Sequence, residues 1–406
     1  MKSVVGRIGY VLLLSLPPLL AALYAGGTTI PGGNFEPWAP AMIDLDVYRR
    51  TGDLVLRGQD FYHVEAWLPW IYPAFAALLS VPFAIMPLGM AQWVWLALNV
   101  ACLMAMLYRL GLTGSRLSLS ATAIIWLVEP VRETLGFGQL AIFLVTAAVL
   151  DSMPGPTLFR RRLLPEGWLV GVATSVKLTP ALIAVYNFFA GKRKAGIVSF
   201  LTFLACTAIG FVLLWGPSVT YFTMLISGDS GLNSGIVFKT NQSVLGVWTR
   251  LMGEASRGGL VLSVLVAVIG VVAAVLMHRA GEVAYALCLA GLTSLLASPI
   301  SWSHHYVWIV PFGIVLLRNE RLPEYLRVAG LFYAIWTAFA PFKLLPGDNN
   351  VELTYAPVHM LVDNFGVYLG VAILITSIVA AYTPWGRDRR RAQAALLAGD
   401  AIAAPS

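Results

Sequence analysis

Charge is scarce in this chain. Of 406 residues only 12% are Asp, Glu, Lys or Arg, 58% are hydrophobic, and the mean hydropathy is +0.77. A soluble domain carries about twice that charged fraction, so an ordinary water-soluble enzyme is excluded. Cysteine is scarce as well. Cys102, Cys206 and Cys288 each lie within an apolar segment, far apart, which leaves no disulfide framework and no metal spacing. No Walker loop, dinucleotide fingerprint or zinc-ligand spacing stands out. No internal repeat is visible, which weighs against a transporter.

What is present is apolar and recurrent. Segments near 8–25, 71–87, 90–109, 118–134, 138–152, 166–176, 178–190, 196–215, 259–278, 283–298, 304–318, 327–343 and 363–383 describe an all-α polytopic membrane protein. The net charge of +7 comes from short clusters between those runs, Arg160–Arg162, Lys192–Lys194 and Arg387–Arg391, the mark of cytoplasmic loops rather than of nucleic-acid binding. Lys2 and Arg7 place the N-terminus inside, on an uncleaved first helix in preference to a signal peptide. Both termini inside require an even number of crossings. About twelve result if segment 71–87, broken by Pro73, Pro82 and Pro87, dips in and returns, and if 166–176 and 178–190 form a V with Lys177 at its outer apex. Residues 1–385 then form one transmembrane domain, and 386–406 a basic, disordered cytoplasmic tail.

This topology gathers the polar oddities on the outer side: loop 26–70, Gly138-Gln139, Lys177, loop 216–258, Ser298–His305 and loop 344–362. Loop 216–258 contains Gly228–Ser234, a composition suited to a lid. Asp44 and Asp46 open an amphipathic stretch just after the first span. Two residues apart, they point about 200° apart on a helix and cannot both face one site. One fits a general base beside a partly shielded cavity, the other a cap, and spacing leaves open which. Lys177, between two apolar runs, fits a phosphate as a point charge or a snorkelling side chain. Adjacent His304 and His305 diverge on a helix, so joint chelation is disfavoured; one fits a phosphate or a leaving group, the other a structural role. Gln139, Asn241 and Gln242 suit sugar hydroxyls or helix caps, and Tyr62, Trp67, Trp70 and Tyr72 suit sugar stacking or an interfacial aromatic belt.

Taken together, Asp44-Leu45-Asp46-Val47-Tyr48, Gly58–Tyr62, Tyr72-Pro73, Gly138-Gln139, Lys177–Pro180, Asn241-Gln242-Ser243 and Ser298–His305 occur in the order of a known family. Over residues 40 to 310 the chain resembles glycosyltransferase family 87, the polyprenyl-phosphate-sugar-dependent enzymes of actinobacterial envelopes. Within it, the chain looks most like the α-1,2-mannosyltransferases that extend phosphatidylinositol mannosides. The resemblance implies a GT-C fold in the plasma membrane, with the site open to the external, periplasmic face. The donor would be polyprenyl-phosphate-mannose, the acceptor a phosphatidylinositol mannoside (a PIM4 to PIM5 type of step). Asp44 aligns with the family's catalytic aspartate, and Lys177, His304 and His305 with motifs around the donor phosphate. Asp46, Tyr62, Tyr72, Gln139, Asn241 and Gln242 would meet substrate. No metal or other cofactor is implied. Ala141 departs from the pattern, since many members carry Asn two residues after the glutamine. The rivals are a relative using an arabinofuranose donor or branching lipomannan, and, from another class, a lipid or sugar transporter.

Overall fold

A computed structural model describes residues 4–27, 42–64, 68–227, 235–347 and 349–403. Trp67 and the Gly228–Ser234 stretch expected as a lid lie outside them, as does Lys2. The described residues are helical throughout, with one isolated bridge between Asn241 and Trp302 as the sole β-type pairing among them. In chain order the helices are α1 (Val4–Gly27), α2 (Ile43–Leu56), α3 (Ala74–Ala84), α4 (Leu88–Arg109), α5 (Gly114–Leu127), α6 (Glu129–Phe137), α7 (Ala141–Ser152), α8 (Trp168–Val176) and α9 (Ala181–Phe189). They continue as α10 (Arg193–Leu213), α11 (Trp215–Ser227), α12 (Val244–Met252), α13 (Arg257–Arg279), α14 (Val283–Leu296), α15 (Ile309–Arg318), α16 (Glu324–Phe339), α17 (Pro357–Tyr382) and α18 (Pro384–Ala403).

Five helices are long and apolar enough to cross a membrane unaided: α1, α4, α10, α13 and α17. A sixth span is available if α6 and α7, bent by 120° at their junction, are counted together. The surface of α10 shows why such helices need lipid. Ile197, Phe200, Leu201, Leu204 and Val212 are exposed, an apolar stripe far too continuous for water. At the opposite extreme, α14 is buried from Tyr285 to Leu296, the pattern of a helix apolar all round and enclosed by others. Helices α9, α13, α15 and α17 pack around it. Lipid tails are as apolar as leucine, so close packing holds such helices together, and small residues are what allow it. At Gly291 a Cβ would stand 2.2 Å from the Trp308 ring.

Two expectations change. The apolar segment 118–134 is not one helix: α5 ends at Leu127, and α6 restarts at Glu129 with Pro130 in its first turn. Proline suits a first helical turn and clashes further in. Residues 386–406, expected as a disordered tail, continue as helix through Ala403, and Arg389 Nη2 pairs with Glu282 Oε1 at 2.7 Å.

The helix directions sort the polar groups by end. The C-termini of α4, α7, α9, α13, α15 and α17 lie with the basic clusters. The N-termini of α7, α9, α15 and α17 point to the other end, where α2 lies across the bundle.

Candidate active site

Helix α2 is amphipathic, and its buried face is Leu45, Val47, Tyr48, Thr51 and Gly52. It packs along α3. Arg49 fixes the pair by donating to the carbonyls of Phe83 (3.0 Å) and Met86 (2.8 Å), and Arg50 donates to Leu68 at 2.9 Å. The Phe83 and Met86 carbonyls lie at or just beyond the C-terminal end of α3, where the orphan acceptors of a helix are found. The two acids at the start of α2 diverge as a helix requires: Asp44 is half-buried and Asp46 is exposed. Burial raises the Asp44 carboxyl above its usual range, against the opposing pull of His304, Gln139 and Lys177.

The junction between α6 and α7 meets α2 from the membrane side. Gly138 sits there in the left-handed region (φ 72°), and a Cβ on it would lie 2.8 Å from the Cβ of Leu45. Only glycine permits both that φ and that approach. The turn delivers Gln139, buried, to Asp44. Its Oε1 accepts from Tyr48 (3.2 Å), Tyr72 (3.4 Å) and the Leu140 amide (3.3 Å). Burial holds the Tyr48 hydroxyl protonated, its pKa well above the ordinary value, so it remains a donor. With the carbonyl oxygen so occupied, the amide hydrogens face Asp44, with which Gln139 is hydrogen-bonded.

Lys177 follows α8 in extended backbone (φ −149°) and enters the same space. Its Nζ is 2.9 Å from His305 Nε2 and 5.5 Å from the centre of the Tyr72 ring. An ammonium only donates, so His305 Nε2 accepts. His304 and His305 lie in a 3-10 helix, Ser303–Trp308, their rings 4.6 Å apart and 86° inclined. The two rings meet edge to face rather than diverging as they would on a regular α-helix. Lys177 and His305 also line a small pocket of about 30 Å³, with Leu144, Val145, Ile183, Leu295 and Trp308 as apolar walls.

Asn241 and Gln242 lie one layer behind, fully buried. Asn241 Oδ1 accepts from the Ser301 amide at 2.8 Å, and its Nδ2 donates to Ile236 at 2.9 Å. Gln242 Nε2 donates to the carbonyls of Lys239 (2.8 Å) and Asp363 (3.0 Å). These amides tie loop 235–243 to the segment that leads into the two histidines. Tyr62, also buried, donates to the Tyr72 carbonyl at 2.6 Å, and Trp70 packs edge-on against Tyr48.

Sequence reasoning passed over a second charged group. Glu129 and Glu133 stand one turn apart on α6, and Lys343 Nζ is ion-paired with both. Glu133 Oε2 is 3.7 Å from His304 Nδ1. Two acids at i and i+4 inside an apolar segment were the available signal. Arg250 was missed too: wholly buried, it pairs with Asp363 at 3.0 Å and donates to Asn364 at 2.8 Å. Among the described residues no three His, Cys, Asp or Glu side chains assemble as a metal set.

The site thus joins a carboxylate of raised pKa, a cation with an imidazole behind it, and a small apolar-walled pocket at that cation. Such an arrangement can deprotonate a hydroxyl on one side and hold an anionic group on the other. The profile of Glycosyltransferase family 87 matches residues 70–299. A polyprenol-phosphate-mannose-dependent alpha-(1-2)-phosphatidylinositol mannoside mannosyltransferase of Mycobacterium tuberculosis is 30% identical over 85% of this chain and 87% of its own length. Its Mycolicibacterium smegmatis counterpart is 30% identical over 83% of each. An alpha-(1-2)-phosphatidylinositol pentamannoside mannosyltransferase of M. tuberculosis is 34% identical over 62% of this chain and 58% of its own. No solved structure matches the chain.

Proposed function

The chain belongs to glycosyltransferase family 87, and from that premise we propose that it transfers mannose from polyprenyl-phosphate-mannose to a phosphatidylinositol mannoside, forming an α-1,2 linkage. The reaction is inverting, from a β-mannosyl phosphate to an α-mannoside. A single displacement needs one base on the acceptor face and no second nucleophilic carboxylate, by analogy with inverting hydrolases.

Asp44 is that base. The acceptor 2-hydroxyl attacks the anomeric carbon, its proton passes to the Asp44 carboxylate, and the bond from the anomeric carbon to the phosphate oxygen breaks. The observation that carries this reading is the convergence of Asp44, from α2, and Lys177, from the α8–α9 junction, on one cluster with His304 and His305. The raised carboxyl of Asp44 makes it a stronger base once ionised. Lys177, with His305 behind it, takes the charge that develops on the departing polyprenyl phosphate. Asp46, exposed on α2, is on hand for the acceptor glycan.

The reading includes a GT-C fold with about twelve crossings in the plasma membrane and an external site. The distribution of charge supports it: Arg109, Arg162, Lys192 and Arg389 all lie at the end away from Asp44. The names of the relatives support two acceptor lengths, mannoside and pentamannoside.

The test uses the full chain in lipid nanodiscs with radiolabelled polyprenyl-phosphate-mannose and either phosphatidylinositol tetramannoside or pentamannoside. A product cleaved by α-1,2-mannosidase, made by wild type and not by Asp44→Asn, is expected. Transfer only from an arabinofuranose donor, or lipid uptake into vesicles without glycoside formation, would overturn the assignment.

A further inference from the structure

The transfer just described uses neither Glu129, Glu133 nor Lys343, yet the fold spends strain to bring them together. At the end of α16, Ala340 takes a left-handed conformation (φ 46°), uncommon for a residue with a Cβ. The chain then turns into the 3-10 helix Pro341–Leu344. Lys343 is thereby laid on α6, where it meets both carboxylates. Ser303 Oγ stands 2.9 Å from Glu129 Oε1 and 2.9 Å from Glu133 Oε2, and donates to one or the other. Thr134 Oγ1 on the same helix stands 2.9 Å from the His304 carbonyl and 2.7 Å from that of Pro130, and donates to one or the other. Phe137 adds an edge contact to the His304 ring at 5.4 Å. His304 therefore meets α6 at backbone and ring. Its Nδ1 faces Glu133, while its Nε2, in a residue only 6% exposed, has no partner.

The two histidines thus differ. His305 spends Nε2 on Lys177. His304 keeps Nε2 free beside the same space.

We propose that Lys343, by offsetting Glu129 and Glu133, makes a seat in which the buried His304 stays neutral, with its proton on Nδ1, so that Nε2 accepts a hydrogen bond from a substrate hydroxyl. Nε2 then carries a lone pair and does not suit a phosphate oxygen. The sugar hydroxyls fall to His304 and the phosphate to Lys177, which departs from the phosphate role the sequence implies for His304. Lys343 and Glu133 are positioning residues in this scheme. The proposal rests on the transfer reading, since it needs a substrate that carries hydroxyls.

The charges around His304 fix the sign. Asp44 faces it from α2, Glu129 and Glu133 from α6, Lys177 from the α8–α9 junction, His305 from its own helix and Lys343 from the loop, with Arg132 near Lys343. Helices α7, α14 and α15 also pack on the 3-10 helix, but the charges of α7 and α15, Asp151 and Arg318, lie at their far ends and α14 has none. Without Lys343 the two glutamates are uncompensated and draw a second proton onto His304. Nε2 becomes a donor and the acceptor is lost.

The test compares wild type, K343M, K343R and the E133Q/K343M double variant in nanodiscs. K343M is expected to move the acid limb of kcat/KM for mannosyl transfer up by about one pH unit, with activity returning at high pH. K343R and the double variant should stay near the wild-type limb. A loss in K343M equal at every pH, or no change, would overturn the proposal. A second readout needs no turnover: 15N spectra of imidazole-labelled full-length protein, with the His304 signal assigned by its loss in H304N. Nδ1–H is expected in wild type at neutral pH, with the imidazolium signal appearing in K343M at a pH about one unit higher than in wild type. Imidazolium or Nε2–H in wild type at neutral pH would overturn the seat. If K343M does not fold, E133Q carries the spectral test, and an unchanged tautomer there counts against the proposal. A wild type inert with every mannosyl acceptor would instead sink the transfer reading, while the spectra still decide the seat.

Discussion

At the end of the bundle where the basic clusters lie, Arg109, Asp151, Arg162, Lys192 and Arg389 are each closed by a partner. At the end that holds Asp44, charges stand facing one another in one cluster. Arg109 spends its guanidinium on the carbonyls of Met153 (2.7 Å) and Gly155 (3.0 Å), beyond the end of α7. Asp151 accepts from the amides of Gly167 and Val170, both at 3.0 Å, and pairs with Arg162. Lys192 and Glu166 meet at 2.8 Å. Those groups finish helix ends. At the Asp44 end the carboxylate of raised pKa, the ammonium of Lys177 and the free nitrogen of His304 finish nothing of the fold. The difference teaches which charges a membrane protein spends on stability and which it holds for a ligand.

Substitutions at the two ends should therefore separate cleanly. Asp44→Asn should lower kcat about 10³-fold, within the 10²–10⁴ range of a general base, with an unchanged melting temperature. A variant within tenfold of wild type in a saturating-donor assay would break the comparison at its strongest point. Lys177→Met should cost about 10²-fold in kcat, the scale for one stabilising donor at a developing anion. Lys177→Arg should recover part of that, and the readout is single-turnover release of labelled polyprenyl phosphate. The pH profile sharpens the same end. Burial raises Asp44, and the base works ionised, so kcat/KM should rise with pH along a limb above the ordinary carboxylate value of about 4. A limb at or below that value would contradict the shielding.

At the other end the expected effects fall on the fold. Asp151→Asn should lower stability by about 1–3 kcal/mol, the cost of a weakened buried acceptor, and leave kcat per folded molecule unchanged; nanodisc melting alongside turnover checks both. Arg389→Ala, at a pair partly open to solvent, should cost under about 1 kcal/mol. A loss of turnover from either would show that the two ends are coupled.

Much of this division was legible in the sequence. The periodic apolar runs announce helices because a membrane leaves no other way to satisfy the backbone. The 200° divergence of Asp44 and Asp46 follows from helix geometry alone, and the structure buries one and exposes the other. The rest depended on approach in space. Nothing in the local pattern says that Gln139 reaches Asp44, since a turn between two helices sets that distance. Glu129 and Glu133 escaped notice because averaged hydropathy runs straight through the break at Val128 and credits both acids to a span. Lys343, at the end of another apolar run, gave no hint of its partners, which lie some two hundred residues earlier. Asn241 and Gln242 read as possible sugar contacts, but their amides are engaged with backbone carbonyls and an amide that no sequence pattern could name.

The empty place at Gly138 has a mechanical consequence. Helix α2 is amphipathic, while α6 and α7 lie among the apolar helices, and a bilayer continually thins, thickens and tilts what it holds. Because the bare backbone of Gly138 lies against Leu45 and Met42, α2 is keyed to the bend itself rather than hung from it on long side chains. Asp44 and Gln139 then move as one body when the spans tilt, and the spacing between them holds whatever the bilayer does around them.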